Sequence, residues 1–80
     1  MKIPRDLSGI DLIKLLKNYE YRVTRQTGSH IRLTTQQHGE HHLTIPNHDP
    51  IKIGTLSAII SEVAAHFNKD KADIMNDLFG

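Results

Sequence analysis

The sequence predicts an α+β fold: a helix, a three-stranded antiparallel sheet, a second helix and a short C-terminal helix, in that order. Three observations predict it. Apolar residues recur at three- and four-residue spacings over 10–16 and again over 56–67, the period of a one-sided helix. Between those stretches apolar and polar residues alternate, the period of a half-buried strand. The alternation is interrupted by Thr27-Gly28 and by Gln36-Gln37-His38-Gly39, polar segments whose glycines suit turns.

Each element follows from its own residues. Ser8 is placed to cap the first helix, with Asp11 three residues on. Ile10, Ile13 and Leu16, with Leu12 and Leu15, form an apolar stripe about ten residues long, and Asn18 and Tyr19 end it. Tyr21 and Val23 are expected to face inward on a first strand, with Arg22 and Thr24 outward. Gly28 lacks Cβ and tolerates the positive φ of a tight turn. Ser29–Thr34 is the second strand, with Ile31 and Leu33 inward and His30 and Arg32 outward. Glu40–Ile45 is the third, with Leu43 and Ile45 inward and His42 and Thr44 outward; Pro46, lacking an N–H, closes it. A loop over 47–54 holds His48, Asp49 and Pro50. Thr55 is expected to cap the main core helix, in which Leu56, Ile59, Ile60, Val63, Ala64 and Phe67 keep helical spacing throughout. Asn68 breaks it, and Asp70 caps a last helix built on Ile74, Met75, Leu78 and Phe79.

Eighty residues suit one domain, 1–80, with one core. The absence of cysteine leaves neither a disulfide nor a thiolate metal site. Charges interrupt every apolar stretch, and Met1 to Asp6 lacks the apolar region of a signal peptide, so a cytoplasmic protein without a membrane partner is expected. Net charge is only +1, but it is unevenly placed. Residues 1–34 carry seven Lys and Arg against three Asp and Glu; residues 35–80 carry three against six. The first half is suited to a polyanion.

If the helices cover one face of the sheet, the other shows Arg22 and Thr24, His30 and Arg32, His42 and Thr44: a basic surface with histidines at its centre. Topologically this is the double-stranded-RNA-binding-domain arrangement, which does not by itself settle function. His38, His41 and His42 invite a metal site, but adjacent strand residues point to opposite faces and no His-x-x-x-His lies on a helix, so none is expected. Tyr19 and Tyr21 are candidates for stacking on bases, with Tyr21 better suited to the core. Gly54 and Thr55 read as a plain helix start rather than a phosphate site.

Four segments, in order, resemble the HicA family of bacterial toxins. They are the helix Gly9-Ile10-Asp11-Leu12-Ile13-Lys14-Leu15-Leu16 with Tyr21 after it; Arg25-Gln26-Thr27-Gly28-Ser29-His30, similar to the family's R-x-x-G-S-H turn; Ile45-Pro46-Asn47-His48, similar to its V-P-x-H strand end; and Ile53-Gly54-Thr55-Leu56 with Ile59, similar to its K-G-T-L-x-x-I helix start. Thr27 and Ile53 stand where lysine is common in such sequences. The resemblance implies a ribonuclease that cleaves messenger RNA, is neutralised by a HicB-type antitoxin, and uses His30 as its catalytic residue.

The chemistry suits those residues. RNA carries its own nucleophile: loss of the 2′-OH proton lets that oxygen attack the adjacent phosphorus, while the leaving 5′ oxygen needs a proton. Histidine, with a reference pKa of about 6.5, serves either task without a metal or cofactor. Arg25 and Arg32 are the candidates to hold the phosphate, with the backbone N–H groups of Gly28 and Ser29 as further anion donors. His48 is a second candidate, for acid–base work or phosphate contact. The rival reading is a non-catalytic double-stranded-RNA-binding module. Against it, the expected second helix begins Gly54-Thr55-Leu56-Ser57-Ala58, without a lysine to meet the phosphates.

Overall fold

The computed structural model describes residues 3–80; Met1 and Lys2, and with them the start of the leader reading and one charge of the basic half, lie outside the described residues. The elements follow the expected order. Helix α1 spans Gly9–Leu16 and continues as a 3-10 turn over Lys17–Tyr19; strands β1, β2 and β3 span Arg22–Thr27, His30–Thr35 and His41–Pro46; helices α2 and α3 span Ile53–Phe67 and Lys71–Phe79. The strands form one antiparallel sheet in the order β1-β2-β3. No helix among the described residues is long and apolar enough to cross a membrane.

The core lies between one face of β2 and β3 and the helices. Ile31, Leu33, Leu43 and Ile45 meet Leu12 and Leu16 of α1 and Leu56, Ile60 and Val63 of α2, all essentially without solvent contact. Ser8 caps α1, its hydroxyl accepting from the Asp11 N–H at 3.1 Å. Ile10 does not join the core and is 44% exposed, so the apolar stripe of α1 is narrower than its sequence suggests.

Val23 is a second correction. It pairs with Leu33 across the ladder, yet it is 52% exposed, and every residue of β1 is solvent-facing. Alternation specifies the side of the sheet a residue takes; it does not specify whether a helix covers that part of the side. β1 and β3 are both edge strands, but the helices sit over β2 and β3 and leave β1 uncovered. Tyr21 is buried, but it precedes β1 rather than belonging to it.

The later strands each start and end one residue beyond their expected bounds. Thr35 shows why for β2: it is buried, its hydroxyl donates to the Tyr19 carbonyl at 2.9 Å and accepts from the Gln37 N–H at 3.2 Å, which extends the strand into the turn. The turn ends with His38 at φ 56° and Gly39 at φ 93°.

Thr55 does not cap α2. The helix begins at Ile53 with Lys52 at the cap position and no side-chain cap. Ile51 is buried and its N–H donates to the Leu7 carbonyl at 2.8 Å, which starts the helix earlier, with the Leu56 N–H bonding the Lys52 carbonyl. The helix start therefore carries one lysine after all. Asn68, at φ 53°, ends α2 in a left-handed cap, with the Lys69 N–H reaching back to the Ala64 carbonyl. Asp70 precedes α3 but caps it through its backbone carbonyl, not its side chain. Ile74, Met75 and Leu78 of α3 are buried and Phe79 is half-buried.

Tyr19 is not free to stack on a base. It is 8% exposed, its ring lies 4.8 Å from that of Phe67, and its hydroxyl donates to the Asp77 carboxylate. Burial, then the Asp77 hydrogen bond, pushes the Tyr19 phenol above its ordinary range; the same bond holds the Asp77 carboxyl below its own.

Candidate active site

The site is built on the outer face of the sheet and starts from the hairpin between β1 and β2. Thr27 pairs with His30, leaving a two-residue loop with Gly28 first, at φ 57°. Glycine in that position matches the twist of a two-residue hairpin. A Cβ on Gly28 would meet nothing within 4 Å, so the requirement is conformational, not steric. The loop delivers His30, exposed, as the first residue of β2.

Arg32 follows on the same face, two residues on and so about 7 Å along the strand. Arg25 joins them by a route the alternation does not reveal. The β1–β2 register passes from Val23↔Leu33 to Arg25↔Arg32, with a bulge at Thr24. An extra residue in one strand resets which side its successors take. Directly paired residues share a face, so Arg25 stands opposite Arg32 and beside the line of His30. Thr24 also faces this side, its hydroxyl 2.8 Å from that of Thr34. Neither arginine is in an ion pair among the described residues. Two like charges held opposite each other outside any ion pair have the charge that suits an anion.

The far strand completes the frame. Pro46 pairs with His30 at the end of β3, and the Asn47 N–H donates to the Ser29 carbonyl at 2.7 Å, tying the strand end to the hairpin loop. The His48 carbonyl accepts from the Gly9 N–H at 2.9 Å. The structure therefore brings together His30, Arg25, Arg32 and the Gly28-Ser29 loop, and anchors the backbone of His48 at the same end of the sheet. His48 itself is exposed.

Two histidine arrangements escape the sequence. On the outer face, His42 Nε2 lies 2.9 Å from a Glu40 carboxylate oxygen and Nδ1 lies 2.8 Å from the Thr34 hydroxyl. With Gln36 and then His42 as its partners, the Glu40 carboxyl is held below its usual range. Hydroxyl, imidazole and carboxylate stand in the order of a nucleophile relay. Yet Thr34 is four residues, about 13 Å, along the strand from His30, too far to share one phosphate with it. The relay braces the outer face next to a cavity of about 310 Å³ lined by Arg22, Thr24, Thr34 and Gln36.

The second arrangement is on the inner side. His41 turns away from His42, as adjacent strand residues must. Its Nδ1 is 2.8 Å from the Tyr21 hydroxyl, and its ring stacks on His66 of α2 at 4.4 Å and 13°. His66 Nε2 donates to the carbonyls of Gln37 and Gly39, at 2.7 and 3.1 Å. Burial first, and then the neighbouring His66, lower the pKa of His41. His66 thus ties α2 to the β2–β3 turn, a contact invisible in a helical pattern that marks it as a polar-side residue. No three His, Asp or Glu side chains among the described residues converge as a metal site.

Comparison with curated proteins finds no match, and comparison with solved structures finds none. A family model described as the HicA toxin of bacterial toxin–antitoxin systems matches residues 9–64. That match takes in α1, all three strands and most of α2, and with them the hairpin loop, His30, both arginines and His48. It spans well over half of the chain, which therefore belongs to the HicA toxin family of bacterial toxin–antitoxin systems.

Proposed function

We propose that this toxin is an endoribonuclease that cleaves messenger RNA in the cytoplasm with His30 as its catalytic residue, and that a HicB-type antitoxin neutralises it. HicA toxins are ribonucleases, and membership implies an RNA target and a cognate antitoxin. The observation that carries the finer reading is the placement of His30 on an uncovered face with Arg25 and Arg32, paired across the ladder and without carboxylate partners.

On this reading a backbone phosphate sits between the two guanidinium groups, which stabilise the charge that builds on its oxygens as the phosphorus becomes five-coordinate. The N–H groups of Gly28 and Ser29 supply further donors at the loop. His30, acting as base, takes the 2′-OH proton as that oxygen attacks phosphorus, or, acting as acid, gives a proton to the departing 5′ oxygen; proton transfer of this kind contributes about 10²–10⁴-fold. His48, whose backbone is anchored at the same end, takes the complementary proton or contacts the phosphate. RNA brings the nucleophile, so the step is metal-independent and leaves a 2′,3′-cyclic phosphate and a 5′-OH. The antitoxin acts by covering His30 and the arginine face.

Expression of the wild-type chain beside His30→Ala, with both shown to be folded, tests the reading. Growth arrest and RNA cleavage by the wild type alone are expected, with cyclic phosphate at the new ends. Intact RNA in both cultures leaves the rival, a double-stranded-RNA-binding module, for which Lys52 is the cation at the start of α2. New ends bearing only 3′-OH and 5′-phosphate exclude the 2′-OH mechanism.

A further inference from the structure

A glycine opens α1, where almost any other residue would favour the helix more. Its φ is not in the left-handed region, so no backbone requirement calls for it. The reason is a contact. A Cβ at Gly9 would lie 2.2 Å from the Pro46 carbonyl oxygen and 3.3 Å from the Asn47 Cα. Both are backbone atoms and cannot swing aside as a side chain would. The first turn of α1 therefore presses directly on the end of β3.

Two hydrogen bonds run through the same contact. The Gly9 N–H donates to the His48 carbonyl at 2.9 Å, and the Asn47 N–H donates to the Ser29 carbonyl at 2.7 Å. Segment 46–48 is thus clamped between the helix start on one side and the hairpin loop on the other, while Pro46 pairs with His30 in the ladder. The His48 side chain is exposed, so its own contacts do not fix it; its place relative to His30 is set by the backbone that carries it.

We infer that Gly9 is a positioning residue of the toxin, which holds His48 at a working distance from His30 by admitting the Pro46-Asn47 backbone where any side chain would push it away. This rests on the ribonuclease reading and on a part for His48 in it. A displacement of about 1 Å at a reacting group can cost about 10²-fold in rate, and relief of a 2.2 Å approach demands a shift of that order.

The experiment is a kinetic cycle on an oligoribonucleotide with wild type, Gly9→Ala, His48→Ala and the double variant. Gly9→Ala is expected to lower kcat by about 10²-fold with KM unchanged, and to add nothing in the His48→Ala background. Gly9→Ala as active as wild type overturns the inference. So does a loss that multiplies with that of His48→Ala, which marks general damage to the fold, or a Gly9→Ala loss beside a fully active His48→Ala. Should Gly9→Ala not fold, Ser8→Ala loosens the same turn without added bulk by removing the hydroxyl that caps Asp11 N–H. It is expected to show a smaller kcat loss that disappears in the His48→Ala background; persistence of the loss there overturns the inference. A wild-type chain that leaves RNA intact overturns the ribonuclease reading and this inference with it, whereas a cleaving wild type beside an equally active Gly9→Ala overturns this inference alone.

Discussion

Arg25 and Arg32 stand opposite each other across the β1–β2 ladder, on the face that carries His30, and neither forms an ion pair among the described residues. Like charges in that relation disfavour the fold slightly. An anion between them would offset that cost.

If that anion is an RNA phosphate, Arg25→Ala and Arg32→Ala each weaken binding to single-stranded RNA and reduce the dependence of log K on log salt by about 0.7. Stability stays within about 0.5 kcal/mol of wild type or rises. Filter binding at several salt concentrations, in the His30→Ala background to prevent cleavage, measures the slope. An unchanged slope removes the arginines from the phosphate.

Val23 and Leu33 are ladder partners with opposite fates, one 52% exposed and the other fully buried. Val23→Thr should change stability by no more than about 0.5 kcal/mol, whereas Leu33→Ala should cost about 2–5 kcal/mol. Urea denaturation of the pair decides it, and a large loss at Val23 requires a cover over the edge strand.

Burial of His41, and then its neighbour His66, give the chain a pH dependence of defined sign. The folded pKa of His41 lies below its ordinary 6.5. The unfolded chain therefore takes up the proton first as pH falls, so this contribution to stability is complete above about 6.5 and is lost as pH drops toward the folded value. Glu40, also depressed, adds a loss that begins only near 4.5 and below. Melting curves between pH 8 and 5 should show the His41 part, and His41→Gln should flatten it. A profile that His41→Gln leaves unaltered assigns the slope elsewhere.

Helix α3 lies beyond the matched residues 9–64, yet it buries Ile74, Met75 and Leu78. Each buried side chain of this size is worth about 1.5–3 kcal/mol, against a total stability of about 5–15 kcal/mol for a domain. A chain cut after Asp70 should lose cooperative unfolding, and Ile74→Ala should cost about 2–5 kcal/mol. A sharp, unshifted calorimetric transition in the truncated chain makes α3 an accessory.

Much of this architecture was legible in the residues because burial imposes a period. Leu56 through Phe67 announce α2, and Ile31, Leu33, Leu43 and Ile45 announce the inner face of the sheet. The illegible parts depend on distant partners. Nothing local to Val23 tells that the helices stop short of β1. Nothing at Thr55 tells that Ile51 bonds Leu7 and starts the helix sooner. His30, Arg32 and the loop were readable from alternation and the glycine; the orientation of Arg25 was not, since it depends on a bulge. The stacking of His41 on His66 joins residues from two elements that no periodicity connects.

The bulge at Thr24 makes the outer face a matter of parity. Counting from Arg22, an even interval keeps a residue on the same side in an unbroken strand, and Arg25 is three away. One surplus residue turns that odd interval into an effective even one. Deletion of Thr24 alone would remove the bulge and leave Arg25 two residues from Arg22, on the same side and still opposite Arg32. Length, not only composition, thus decides the arginine face: between Arg22 and Arg25 a single deletion that takes the bulge with it keeps the face, and one that leaves the bulge reverses it.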